Sequence, residues 1–357
     1  MESNRVGSVT VCASIRRRAS LLLVFCLVSG PHTLGGQALE TSARPAQPAS
    51  TRLSLVRVFS SPDDVRHLHP ILNRTLDIIA GAADPVTRVD ALKSPSAVAT
   101  DSTQRVFVAD PGAQAVHVFD FIHSKYGLLD KDGERLHAPV ALSADGQDNL
   151  YVVDQGSRMV LVYDSVGKFR RYVGKLRGGE SYFDTPTAIA IDKTAGRIYV
   201  CDRQRHMVFI MDHEGRLIRK LGKRGAGDGP GEFRFPGQLV VSGGELFVLD
   251  SGNVRIQVFD TAGKFLRAIK LTQVDQRAGL AVDKQGNIYV SDAGLNQIQV
   301  FRSDGQALST LDEGAVEGTD FSGPSGMWVD ADGALYVVDS QNSRVAVFHI
   351  SGENPAD

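Results

Sequence analysis

The sequence predicts an all-β protein: a six-bladed β-propeller of four-stranded antiparallel blades, its ring closed by an N-terminal strand. Three observations predict it. A two-strand unit recurs as VFVADPGAQAVHVFD (106–120), LYVVDQGSRMVLVYD (150–164), IYVCDRQRHMVFIMD (198–212), LFVLDSGNVRIQVFD (246–260), IYVSDAGLNQIQVFR (288–302) and LYVVDSQNSRVAVFH (335–349). The Asp ending the first strand of each unit (Asp110, Asp154, Asp202, Asp250, Asp292 and Asp339) advances by 44, 48, 48, 42 and 47 residues. The segments between are short and punctuated by Pro and Gly, and strand-only repeats of roughly 40–50 residues build propellers.

Within each unit, alternating aliphatic, aromatic and β-branched residues make two strands around a polar turn. An earlier strand has its own start signal: Pro95-SAVATD, Pro139-VALSAD, Pro186-TAIAID, Pro236-GQLVVS, Arg277-AGLAVD and Pro324-SGMWVD. Two places after its first residue comes a small one, namely Ala97, Ala141, Ala188, Gly279 or Gly326, with Gln238 as the exception. Innermost strands converge on the axis, where small side chains are needed. A fourth strand follows each hairpin, as in Lys168–Gly174, Arg216–Gly222 and Lys264–Lys270, entered at the tight turns of Gly167, Gly215, Gly263 and Gly305. The last unit lacks a fourth strand. Thr75–Gly81 (TLDIIAG) fits that pattern and is expected to cross over and complete blade six. Closure matters because an open ring would leave a sheet edge and two blade faces unpaired.

The domain organisation follows: 1–38 a signal peptide, 39–70 a flexible tether with room for an extra strand at Leu53–Ser60, 71–350 the propeller, and 351–357 a tail. Arg16–Arg18 precede the apolar run Leu21–Val28, with small residues at Gly35–Ala38. That layout directs export to the periplasm or the outside; the alternative is an uncleaved N-terminal signal anchor, though the run is short for a membrane span. The Arg17–Arg18 pair also admits twin-arginine export. Cys12 and Cys26 would leave with the signal, so Cys201 would remain alone, read as a buried small hydrophobe. With 39 basic and 41 acidic residues in 357, nothing global points to nucleic acid or an anionic membrane.

The pattern Pro-x-Gly-x-Ala-Val-Asp, then Ile-Tyr-Val-x-Asp, then Asn-x-Arg-Ile-Gln-Val-Phe-Asp resembles the NHL repeat. It is clearest at 236–260 and 278–301, and the Gly-rich loop 222–236 resembles that family's inter-blade loop. The resemblance covers about residues 75–349 and implies the propeller fold. It does not imply one activity, because such propellers host lyases, RNA-binding faces and scaffold modules. Peptide-amidating lyases of this fold class use His ligands near the axis, but His117, His206, His213 and His349 fall in unlike slots here. Lactone-hydrolase propellers hold a cation at the axis through Glu, Asn and Asp. The corresponding slots are Ser96, Val140, Thr187, Gly237, Ala278 and Ser325, poor in such ligands.

The repeated turn Asp residues read as turn devices that accept backbone N–H bonds. The loop Gly222–Gly231 lacks the Gly-Lys-Ser/Thr and helix of a phosphate cradle. His67 and His69 lie outside the repeats. No Ser sits in a nucleophile context. No cofactor or metal is called for.

What remains is a surface. Second-to-third turns and inter-blade loops share one face of a propeller, and here they collect basic residues. The candidate binding residues are Arg158, Arg205, His206, Arg255 and Arg344 from turns, and Lys223 and Arg224 from a loop, with Arg203, Lys175, Arg177 and Arg234 nearby. Such a face suits a protein or peptide partner of acidic character; the plainer alternative pairs each Arg with a neighbouring turn Asp. RNA is excluded because stacking aromatics are few there (Tyr182, Phe183, Phe233, Phe235). The expected function is therefore a non-catalytic binding or scaffolding propeller of the cell envelope. A metal-dependent propeller enzyme, amidating-lyase-like or lactone-hydrolase-like, is the alternative.

Overall fold

The inner strands of each blade are buried on both sides, which is why they read as unbroken apolar runs. LYVVD (150–154) and MVLVY (159–163) are buried at every position. The outermost strand FRRYV (169–173) is only partly covered, and charge intrudes. The computed structural model describes residues 52–66, 91–129, 136–176, 178–311 and 320–351. They form six four-stranded antiparallel sheets, five of which pair in chain order while the sixth takes in the N-terminal strand. The innermost strands are Ala97–Thr100, Pro139–Ala144, Pro186–Asp192, Pro236–Ser242, Leu280–Val282 and Pro324–Val329. Helix among the described residues is limited to Asp63–Arg66 and a single 3-10 turn at Ser251–Asn253.

No central core exists, because the blades radiate from an axis. Apolar side chains gather between neighbouring blades instead. Tyr151 and Val153 of blade two pack with Ile198, Val200 and Phe209 of blade three. Phe247 and Leu249 of blade four pack with Leu280 and Val290 of blade five. Each such layer needs a blade on both sides, so the ring must close for the first and last to be covered.

Closure comes from Arg52–Phe59, which pairs antiparallel with Arg344–Ser351 as the outermost strand of blade six. This corrects the assignment of that place to Thr75–Gly81, which lies outside the described residues. The strand sits within the stretch read as a tether, where only an extra edge strand was expected. Two features favour it. Seven of its eight residues pair with Val345–Ser351 of the long last strand, with a bulge at Val56. It also delivers Phe59, 1% exposed, into the layer between blades six and one, with ring centroids 4.8 Å from Phe119 and 5.2 Å from Phe121. The chain is then turned by Asp64, whose carboxylate accepts the Ser60 and Ser61 N–H groups at 2.7 and 2.8 Å.

Phe59→Ala should lower unfolding free energy by about 3–5 kcal/mol, the cost of a large core truncation. Val56→Ala on the same strand, at a position 62% exposed, should change it by no more than about 0.5 kcal/mol. Urea unfolding of the two variants checks the contrast; equal effects would remove Arg52–Phe59 from the closing position.

Candidate functional site

The six turn Asp residues are at most 1% exposed. Burying a carboxylate is costly unless it is hydrogen-bonded, and five of the six take bonds from the chain entering the blade. Asp110 accepts from the N–H groups of Lys93 and Ser94 at 2.6 and 3.0 Å, and from Ala113 in its own turn at 3.0 Å. Asp154 accepts from Ala138 at 2.6 Å, Asp202 from Asp184 at 2.7 Å, Asp250 from Arg234 at 2.7 Å and Asp339 from Ser322 at 2.7 Å. Each carboxylate thus ties its turn to the segment leading into the innermost strand, a reach beyond the hairpin loop. Asp292 differs: it accepts only from Gly294 and Leu295 in its own turn. Blade five is also where Arg277 replaces the opening Pro. Burial works to raise the Asp110 pKa, but His117 and the Lys93, Ser94 and Ala113 N–H groups outweigh it, so the net shift is downward.

These carboxylates decide which arginines of the face are free. Arg255 Nε lies 2.8 Å from Asp250 Oδ2, and its Nη2 donates to Gly229 O and Glu232 O, both at 3.0 Å. Arg344 repeats this with Asp339 at 2.7 Å and Asp320 O at 3.0 Å. Both are largely covered and hold loops. His206 is buried as well: its Nδ1 accepts the Phe235 N–H at 3.0 Å and its ring packs on Phe235. Desolvation first, and Arg234 second, push its pKa down, so the neutral acceptor form is favoured.

The other candidates stay outside. The Arg158 side chain is 61% exposed and loosely paired with Asp184 at 3.5 Å. The Arg205 side chain is 43% exposed and 3.8 Å from Asp202. Lys223 pairs with Glu232 at 2.6 Å, and Arg224 is exposed with no ion pair among the described residues. Arg158 belongs to blade two, Arg205 to blade three, and Lys223 and Arg224 to the loop between blades three and four. They form one arc rather than a ring. Arg177 lies outside the described residues.

The axis has two unlike ends. At the loop face the inner strands are stitched together by bonds between blades. Ser96 Oγ donates to Val140 O at 3.2 Å, Gln155 Nε2 to Pro186 O at 3.1 Å, and Ser291 Oγ to Ser325 O at 2.8 Å. The Gly326 N–H reaches Ser96 O at 3.1 Å, and any side chain at Gly279 or Gly326 would strike the neighbouring backbone. Arg203 crosses from blade three to Gln276 O at 3.3 Å, before blade five. Slots read as axial ligand positions, such as Ser96 and Ser325, therefore sit in a seam. Past it the strands splay around a cavity of about 440 Å³ that opens among the first-to-second turns. There Asp145 caps its turn by accepting the Gln147 and Asn149 N–H groups, both at 2.9 Å. Blade four has the short turn Gly243–Gly244 instead, with φ of 57° and 79°, the conformation of a two-residue hairpin.

Sequence reasoning places Arg203 on the loop face but not its reach to Gln276, and it missed this cavity, of which Gln238, the large residue in a small slot, was the only trace. Cys201 is free and buried, and burial pushes its thiol up to about 12, which leaves it inert at neutral pH. Among the described residues no three His, Cys, Asp or Glu side chains converge in a metal-binding group. His67 and His69 lie outside them. None of the described helices is long and apolar enough to cross a membrane.

A 6-bladed beta-propeller family model matches residues 187–297, and an NHL repeat model matches residues 321–348. No curated protein matches the sequence. Among solved structures, a gluconolactonase from Xanthomonas campestris aligns with a TM-score of 0.57 at 17% identity, over 73% of this chain and 87% of its own. A streptogramin B lyase aligns with a TM-score of 0.53 at 11% identity, over 73% of this chain and 94% of its own. A protein from Bacteroides thetaiotaomicron gives 0.57 at 14%, over 73% and 70%. Identities this low establish the shared fold alone.

Two outcomes follow. Arg255→Ala should cost about 1.5–3 kcal/mol, since it strips charged hydrogen bonds from a buried carboxylate, whereas Arg158→Ala should stay within about 0.5 kcal/mol; denaturant midpoints separate them. Asp110, held below its ordinary value, contributes stability that is complete above about pH 4. That contribution is lost as pH falls through the lower native pKa. Asp110→Asn should therefore flatten the decline of stability as pH falls below about 4, followed by urea unfolding at successive pH values. An unchanged slope would mean the carboxylate is not held low.

Proposed function

Taking the chain as a six-bladed β-propeller with NHL-type repeats, we propose that it is a non-catalytic binding module that docks an acidic protein or peptide. The docking surface is the arc across blades two to four. The observation that carries this reading is the division among the arginines. Arg255 and Arg344 are held by turn carboxylates, while Arg158, Arg205 and Arg224 project with loose pairing or none. Exposed cations that the fold does not use raise the local potential and steer an anionic partner. The N-terminal layout of Arg16–Arg18 and Leu21–Val28 supports an exported protein, so the partner would be met in the periplasm or outside.

The gluconolactonase and the lyase share this fold, which makes an enzymatic role the second reading. Stoichiometric zinc or calcium in the purified protein would replace the binding reading with the enzymatic one.

A fluorescent Glu-rich decapeptide at low salt tests the arc. The Arg158→Ala/Arg205→Ala/Arg224→Ala variant should bind it about tenfold more weakly than wild type, the sum of three exposed charge contacts. Added salt should erase the difference by screening. Equal affinity in wild type and variant would reject the arc.

A further inference from the structure

At the opposite end of the axis from this arc, we infer that the axial cavity is a binding site for a small, mostly apolar neutral molecule carrying one carbonyl group, which the Gln238 carboxamide recognises. The cavity of about 440 Å³ falls within the size range of small-molecule sites. Behind it lie the seam of inner strands and Arg203 on Gln276. It is a cup with a mouth among the first-to-second turns. The inner strands wall it mainly with hydrocarbon, Ala97, Ala141, Ile189, Val240, Leu280 and Met327, with Ser143 among them and the polar turn of Asp192, Lys193 and Thr194 at its rim.

Gln238 breaks that lining. The other five blades place Ala or Gly in its slot. Packing at the axis favours small residues there, so a carboxamide is not a packing requirement. It is half-buried, and no hydrogen bond joins its side chain to the described residues. Its carboxamide is therefore left to water or to a ligand that enters the cup and displaces that water. Its NH₂ donates to a carbonyl oxygen while the hydrocarbon walls take the remainder of the molecule. The mouth favours entry over blade four, where Ser242, Gly243 and Gly244 replace the longer, carboxylate-capped turns.

The site also carries its own reporter. Trp328 is the single tryptophan of the chain and lines the cavity, its Nε1 donating to Thr100 Oγ1 at 2.9 Å. Titration of the full chain with cyclohexyl methyl ketone should change Trp328 emission saturably. Ethylcyclohexane, the same shape without the oxygen, should bind about fivefold more weakly, the factor a single neutral hydrogen bond supplies. Gln238→Ala, which installs the residue other blades carry, should make the two probes equivalent. Val240→Phe should remove the response to both by filling the cup; should it fail to fold, Ser242→Phe at the mouth does the same. The triple Arg variant of the loop face should respond as wild type, which keeps the two sites separable. No saturable change in wild type, an unaltered ketone preference in Gln238→Ala, or an undiminished response in the filled variant would each overturn the assignment.

Discussion

The buried carboxylate at the end of each blade's second strand is the interaction on which the rest depends. Such a group is costly to bury alone. It becomes tolerable because the backbone entering the blade presents N–H groups to it, as Lys93 and Ser94 do to Asp110. The bond fixes where the innermost strand begins, and so its distance from the axis. Repeated around the ring, it brings the opening residues of neighbouring inner strands close enough for Ser96 to reach Val140 and for Gly326 to reach Ser96. Where the device is reduced, at Asp292, the opening Pro is also missing.

This anchoring gives the two ends different characters. At the loop face, polar groups are spent on structure, so seams form and several cations lose their freedom. Arg255 and Arg344 are held for that reason, while Arg158, Arg205 and Arg224 in the arc from blade two to blade four keep charge to offer. At the far end the blades are linked instead through their turns, as Ser102 to Asp148 and Gln104 to Asp332, and through Trp328 to Thr100. Between these links the hydrocarbon of the inner strands lines an open cup.

Much of this was legible in the chain. The repeats, the strand order within a blade, the role of the turn Asp residues and the inertness of Cys201 all arise from contacts a few residues apart or between like strands. The alternative of Arg paired with turn Asp was also legible, yet the sequence could not say which arginines would follow it. Arg158 is the left-handed last residue of its turn, whereas Arg255 opens the third strand directly opposite Asp250. Arg255 also faces the carbonyls of Gly229 and Glu232, contributed by a loop more than twenty residues earlier. Likewise Thr75–Gly81 and Arg52–Phe59 both read as edge strands, and only the aromatic layer formed by Phe59, Phe119 and Phe121 distinguishes the one that closes the ring.

By itself the sequence determined the number of blades, their register and the residues buried between them, because periodic patterns encode local pairing. The tertiary structure alone decided which segment completes the ring, which cations remain available, and which end of the axis stays open. Those outcomes turn on the angle at which six separate sheets meet and on groups distant along the chain competing for the same buried partner, and neither is written in any one repeat.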